Sequence, residues 1–210
     1  MKKYLGTEVP VGVVDLLRHG EVEGGACFRG STDDILSKNG WQAMESAARK
    51  SAPWDQIVTS PLLRCRQVAA DLSEQQKTPL LLETDFREIC FGEWEGLSAE
   101  QIMQRDSEGL RRFWQNPEQN SPPGGEKTRD FQKRVLTAWA GLLASFPNSH
   151  TLLITHGGVI RTILADLLGI SLGASFAIDV PWASVTRIHL QIDEPEQIVV
   201  AKLAVLGGGL

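Results

Sequence analysis

The first chemical signal is the tetrapeptide Arg18-His19-Gly20-Glu21. It ends the apolar run Val11 to Leu17, which predicts a buried strand. A second run, Leu152-Leu153-Ile154-Thr155, stops the same way in His156-Gly157-Gly158. Two of the chain's four histidines therefore stand at strand ends, where open α/β sheets bind ligands. A third strand end, Thr59-Ser60-Pro61, leads to Arg64 about one turn into a helix. A helix opening at Gly158 adds unpaired N–H groups and a partial positive charge, both favourable to anions. Arginines, histidines and a helix start in one crevice make a pocket for a tetrahedral dianion. That points to phosphoryl transfer through histidine.

Such a reaction needs a nucleophile, charge neutralisation and a proton for the leaving oxygen. His19 is the candidate nucleophile, with its second ring nitrogen held by a backbone carbonyl. His156 is a second phosphate donor. Arg18 and Arg64 suit the clamping of phosphoryl oxygens, with Arg66 as the rival to Arg64. Glu88 is the candidate acid, beside the apolar segment Ile89-Cys90-Phe91. Glu93, Glu95, Glu21 and Asp33 remain rivals that spacing does not separate. Arg161 reads as a brace for its own helix. Trp94, Trp114 and Trp182 are candidates to line a pocket for a flat leaving group.

Other phosphatase chemistries leave marks that this chain lacks. The residues six after Cys27, Cys65 and Cys90 are Asp33, Asp71 and Gly96, so no Cys-x5-Arg loop exists. There is no Gly-x4-Gly-Lys-Ser/Thr loop. The histidines lack metal-site spacing, so no metal is expected. Cys65, flanked by Arg64 and Arg66, is open to a lowered thiol pKa, with core packing as the alternative.

Strands and helices alternate around these motifs. Helices are expected at 37–50, 61–76, 126–146 and 158–168, and strands at 54–60, 79–83, 183–192 and 198–206. Ser98 and Gln101 form a capping-box pattern that opens a helical excursion to about residue 116. Pro122-Pro123-Gly124-Gly125 ends a breaker segment from 117, read as a loop over the site. The alternation predicts a mostly parallel sheet covered on both faces, in one domain spanning 1–210. Hydrophobic residues are 42% and charged residues 22%, as in an ordinary globular protein. The net charge of −5 argues against nucleic acid or anionic lipid as a partner. No apolar stretch reaches the ~20 residues of a membrane span. Met1-Lys2-Lys3-Tyr4 leads into no long apolar run, so no signal peptide is read. Three cysteines without a pairing pattern suit a reducing, cytoplasmic setting. Oligomeric state stays open.

At this point the residues resemble a known family, the histidine phosphatase superfamily (phosphoglycerate-mutase-like). Leu17-Arg18-His19-Gly20-Glu21 is similar to its Arg-His-Gly signature. Ser60-Pro61-Leu62-Leu63-Arg64 resembles its Ser-Pro-Leu-x-Arg segment, and residues 88–96 its Glu-x-x-Phe-Gly-x-Trp-Glu-Gly block. Pro123-Gly124-Gly125-Glu126 and Thr155-His156-Gly157-Gly158 resemble two further blocks. The resemblance implies a three-layer α/β/α sandwich and no metal or organic cofactor. It implies phosphorylation of His19, a pocket completed by Arg18, Arg64 and His156, and proton donation by Glu88.

One departure stands out. Many members carry Thr-x-x-Asn after Arg-His-Gly-Glu, whereas here Val22-Glu23-Gly24-Gly25 follows. Arg29 and Gly30 are the candidates to take over that contact, or to bind the rest of the substrate, with Gly157 as a further contact. Residues 24–41 resemble α-ribazole phosphatase relatives of the cobalamin pathway. The expected activity is a metal-independent phosphomonoesterase on a small molecule. A mutase, using Arg29, Lys127 or Arg129 for a second anion, and a non-catalytic phospho-ligand binder are the alternatives.

Overall fold

The computed structural model describes residues 10–193 and 198–208. Met1 to Tyr4, on which the leader reading rests, lie outside them. The chain forms β1 (Gly12–Arg18), α1 (Lys38–Ser51), β2 (Gln56–Thr59), α2 (Leu63–Gln76) and β3 (Leu80–Leu82). Then come α3 (Ala99–Gln115), α4 (Thr128–Ser145), β4 (His150–Thr155), α5 (Gly157–Leu168) and α6 (Leu172–Ser175). β5 (Val185–Asp193) and β6 (Ile198–Gly208) finish it, and two 3₁₀ turns lie at Thr84–Phe86 and Gly92–Trp94.

The strands make one sheet in the order β3-β2-β4-β1-β5-β6. β3, β2, β4 and β1 are parallel; β5 runs antiparallel to β1, and β6 to β5. Register places Arg18 opposite Thr155, and Thr59 opposite Ile154. The ends of β1, β4 and β2 therefore lie side by side. The next residues, His19, His156 and Ser60, lie together at this edge, with His19 lining a cleft and His156 and Ser60 fully buried behind it.

Strand alternation divides the core, because successive side chains point to opposite faces. Val14, Leu16 and Leu153 pack with α4 and α5 through Phe131, Val135, Ile160 and Ile163. Leu17, Leu152 and Ile154 pack with α1 and α2 through Met44, Cys65, Val68 and Leu72. This is a three-layer α/β/α sandwich. A third cluster, Trp94, Ile102, Leu110 and Phe113, anchors α3 outside the sheet.

Local signals explain most boundaries. The Ser98 hydroxyl accepts from the Gln101 N–H, and the Gln101 side chain accepts from the Ser98 N–H, as a capping box requires. α2 starts at Leu63, two residues later than Pro61 suggests. Residues 60–62 stay outside the helix, and the Asp33 carboxylate caps it by accepting the Leu63 N–H at 2.6 Å. The 116–127 loop is tied to the 3₁₀ turn by Glu93 N–H to the Pro123 carbonyl and Glu126 N–H to the Cys90 carbonyl, both 2.9 Å. Among the described residues, no helix is long and apolar enough to cross a membrane.

One charge is buried in the sheet. Asp15 is 0% exposed and accepts from Arg187 Nε at 2.7 Å and Nη2 at 2.8 Å. His150 Nε2 lies 2.8 Å away, and Trp54 Nε1 donates at 3.1 Å. Burial opposes ionisation here, but Arg187, His150 and Trp54 outweigh it and hold the carboxyl below its usual range. Removing one partner strands the rest, which costs about 3 kcal/mol or more. Asp15→Ala should lower the urea midpoint with an unchanged m-value. A loss under about 1 kcal/mol would show that the network contributes little to stability.

Candidate active site

Each strand end delivers one part of the crevice. His19 closes β1, and its backbone N–H donates to the Thr155 carbonyl at 2.9 Å. Its Nδ1 lies 2.8 Å from the Gly20 carbonyl. A carbonyl only accepts, so Nδ1 carries the proton and Nε2 of the neutral ring keeps the lone pair. Burial, with Arg64 and Arg18 close by, pushes His19 down to about 3. His156 is fully buried, 5.3 Å from His19 between ring centroids. Its Nε2 meets the Ser60 hydroxyl at 2.6 Å, which fixes the ring. Burial, then Arg64, His19 and Arg18, hold His156 well below the usual imidazole range.

The arginines differ in how they are spent. Arg18 Nη1 donates to the Val180 carbonyl at 2.5 Å, and the guanidinium lies 5.8 Å from the Trp182 ring centre. Burial lowers Arg18 to about 10, so it stays charged at neutral pH. Arg64 is fully buried and Arg66 is exposed, which separates these rivals. Arg64 donates to the carbonyls of Thr32 at 2.7 Å, Gly30 at 2.8 Å and Arg29 at 3.3 Å. Nε of Arg18 and Nε of Arg64 are both buried and find no acceptor among the described residues. Uncompensated buried donors are costly, and an oxyanion beside the two rings would satisfy them.

Glu88 is 8% exposed and lines the cleft with Arg18 and His19. Its carboxylate accepts from Gly158 N–H at 3.0 Å, in the first turn of α5, and from Ile89 N–H at 3.1 Å. Gly158 leaves room for this carboxylate, since a Cβ there would force Glu88 to shift. The rival carboxyls are engaged elsewhere or exposed. Burial opposes ionisation of Glu95, but the Thr32 hydroxyl and the N–H groups of Phe91, Ser31 and Thr32 bring it down to about 2. Glu95 thereby ties residues 31–32 to the 3₁₀ turn. Asp33 caps α2, Glu21 accepts from the Ser37 hydroxyl at 2.8 Å, and Glu93 is exposed.

Other sequence candidates take different positions. Arg29 lines the cleft, but its Nε pairs with Asp34 at 2.6 Å and its terminal nitrogens donate to Gly25 and Glu23 carbonyls. Gly30 is buried behind the cleft; a Cβ there would collide with the Ile89 carbonyl. Gly157 lines the cleft, with Arg18 Nε and Arg161 Nη1 packed over its Cα. Burial pushes the Cys65 thiol up to about 12, so it is a core group, not a nucleophile. Trp114 and Trp182 reach the cleft, whereas Trp94 is buried in the third cluster. Sequence reasoning missed Ser60 as the group that fixes His156, although Ser60 precedes a helix from a strand end. Among the described residues no group of three His, Cys, Asp or Glu side chains could hold a metal ion.

Two buried neutral histidines have a stability consequence. Unfolded, each titrates near 6.5; folded, His19 titrates near 3 and His156 well below 6.5. Below pH 6.5 the unfolded chain binds protons that the folded chain refuses. Stability therefore falls as pH drops from 6.5 toward the folded values, by up to about 1.4 kcal/mol per pH unit per histidine. In phosphate-free urea titrations, His19→Asn should lose about 2 kcal/mol less than wild type between roughly pH 7 and 5. Equal losses would mean that His19 titrates normally.

Comparison with known proteins gives the same frame. Residues 14–202 match the histidine phosphatase superfamily (branch 1). Phosphoserine phosphatase 1 of Hydrogenobacter thermophilus is 27% identical over 192 residues, covering 90% of each chain. A mycobacterial glucosyl-3-phosphoglycerate phosphatase, solved with inorganic phosphate, superposes with a TM-score of 0.78 at 28% identity, covering 94% of this chain and 97% of that one. The α-ribazole phosphatase of Shigella flexneri shares the fold, with a TM-score of 0.78 at 22% identity, covering 93% of this chain and 96% of that one. The strand-end histidines, their buried arginines and this match over most of the chain have one reading: the protein belongs to the histidine phosphatase superfamily and is an enzyme of its phosphatase class.

Proposed function

We propose that the protein hydrolyses small-molecule phosphomonoesters through a phosphohistidine on His19. One observation carries this reading. His19 Nε2 keeps its lone pair in a neutral ring, beside two buried guanidinium nitrogens that lack acceptors. In the first step Nε2 bonds to phosphorus and the ester P–O bond breaks. Glu88, holding a proton, gives it to the departing alkoxide. Arg18 and Arg64 neutralise the phosphoryl oxygens and the uncharged His156 ring donates to them, where preorganised donors act most strongly. In the second step water attacks the phosphohistidine and Glu88 takes its proton. Inorganic phosphate leaves, and His19 is neutral again.

Return of the phosphoryl group to a second hydroxyl, as in a mutase, needs a further anion site. Lys127 and Arg129 are exposed outside the cleft, and Arg29 is committed to Asp34 and two carbonyls, which weighs against it. Among natural esters, α-ribazole 5′-phosphate is the one suggested by residues 24–41. Much of that segment serves the scaffold: Arg29 pairs with Asp34, Asp33 caps α2 and Ser37 caps α1. This ester therefore enters as one member of a phosphate-release screen. The cleft itself offers a heteroaromatic alcohol apolar walls.

Acid-labile ³²P should label the wild type and not His19→Ala. Labelling of His19→Ala would end the proposal, and an unlabelled but active wild type would mean direct attack by water. Glu88→Gln gives a sharper test. With p-nitrophenyl phosphate the leaving group needs no proton, so the variant should release about one equivalent of p-nitrophenol and then stall. Its steady-state rate should fall by about a hundredfold or more. A full rate without a burst would move the acid–base role to another group.

A further inference from the structure

The cleft is far larger than a phosphoryl group needs. It encloses about 620 Å³, the size of sites that hold drug-sized ligands. Arg18, His19 and Glu88 occupy its charged end. Trp182 stands beside Arg18, and Phe28, Phe91, Phe113, Trp114 and Phe176 line much of the rest. Four of these rings form a chain of contacts: Phe28 with Phe91, Phe91 with Phe113, and Phe113 with Phe176, at centroid distances of 5.0, 6.3 and 5.8 Å. Trp114 and Trp182 are 42% and 36% exposed, an unusual state for large rings in a concave wall.

The charges in the same cleft decide what it refuses. Three arginines line it: Arg18, Arg29 and Arg161. Arg18 belongs to the phosphate end. Arg29 is engaged with Asp34 and with the carbonyls of Gly25 and Glu23. Arg161 donates to the Ile178 carbonyl at 3.2 Å and lies in the field of Glu88 and Asp179. A carboxylate on the leaving alcohol would meet ring faces and Glu88, while Arg29 is already paired and the charge of Arg161 is opposed by Glu88 and Asp179. Burying an unpaired charge is costly, whereas covering two exposed indoles with a flat apolar group is favourable.

We infer that the enzyme selects phosphomonoesters whose alcohol bears an uncharged aromatic group, and that Trp114 is a specificity-determining residue for it. This rests on the phosphomonoesterase reading above. Trp114 stands on α3, outside the sheet that carries the reacting groups, so it acts on the alcohol and not on the phosphoryl group. Phosphorylated hydroxy acids and amino acids are disfavoured by the same wall.

The test compares esters of matched leaving ability on the full chain: 2-naphthylmethyl phosphate, ethyl phosphate, 3-phosphoglycerate, O-phosphoserine and phosphocholine. The naphthylmethyl ester should exceed each of the others in kcat/KM by about tenfold or more. Trp114→Ala should cut the naphthylmethyl-to-ethyl ratio by about tenfold, mainly through KM, and Trp114→Phe should restore most of it. Equal or better turnover of 3-phosphoglycerate or phosphoserine would overturn the inference and leave the phosphatase reading intact. Preference for phosphocholine would show that the rings serve a cation instead. An unchanged ratio in Trp114→Ala would remove this residue from the specificity wall. No hydrolysis of any ester, with no ³²P on His19, would mean that the phosphatase reading itself had failed.

Discussion

The whole site depends on keeping an imidazole neutral inside a cage of positive charge. His19 lies under cover beside Arg18 and Arg64, and both burial and those cations oppose its protonation. The hydrogen bond from Nδ1–H to the Gly20 carbonyl then leaves the lone pair on Nε2. One environment thus does two things. It leaves Nε2 free to act as a nucleophile and gathers buried donors of the kind a phosphoryl group requires. Those donors cost stability while unpaired, the usual compromise at a preorganised site.

The surrounding structure maintains this arrangement through backbone contacts. Arg64 is held in place by three carbonyls of the 29–32 loop, and Glu95 ties residues 31–32 of that loop to the 3₁₀ turn. Arg134 bonds the carbonyls of Asp85, Arg87 and Glu88 while pairing with Glu126 at 2.7 Å, so α4 sets the height of Glu88. Ala183, with φ +55°, donates its N–H to the His19 carbonyl at 3.2 Å. A left-handed alanine carries strain, and here it brings the turn before β5 against the residue that closes β1, His19. Rigid elements therefore hold both the arginine–histidine end of the cleft and Glu88.

Chemistry at the phosphate end and selection along the cleft are built from different parts of the fold. The first comes from strand ends of the sheet, with Arg64 from α2 and Glu88 from the loop between the two 3₁₀ turns. The second comes from α3, α6 and loops packed outside it. The third hydrophobic cluster anchors that outer layer, and Phe91 joins it to the core over the sheet. The alcohol specificity can thus vary while the reacting groups stay fixed, as expected when loops decorate a rigid scaffold.

Strand-end motifs were readable because they are local. An apolar run that stops in Arg-His-Gly announces both its burial and its chemistry within a few residues. Order along the chain also announced the parallel sheet, since strand and helix patterns alternate. Local reading failed where a side chain's partner is distant in sequence. Glu95 and Glu88 lie seven positions apart, yet one is pinned ionised by residues 31 and 32 and the other faces His19. Arg29 looked available because its partners, the 23 and 25 carbonyls and Asp34, are ordinary loop groups. Pro61 points to a helix start two residues too early, because the cap of α2 comes from Asp33, thirty residues before Leu63. The primary sequence alone determined the fold class and the candidate imidazole with Arg18 beside it, because neighbouring residues specify them. Only the tertiary structure decided which carboxyl faces them, which guanidinium groups are already committed, and that aromatic rings spread from residue 28 to 182 form one wall. Each of these depends on contacts that exist only after the sheet has assembled.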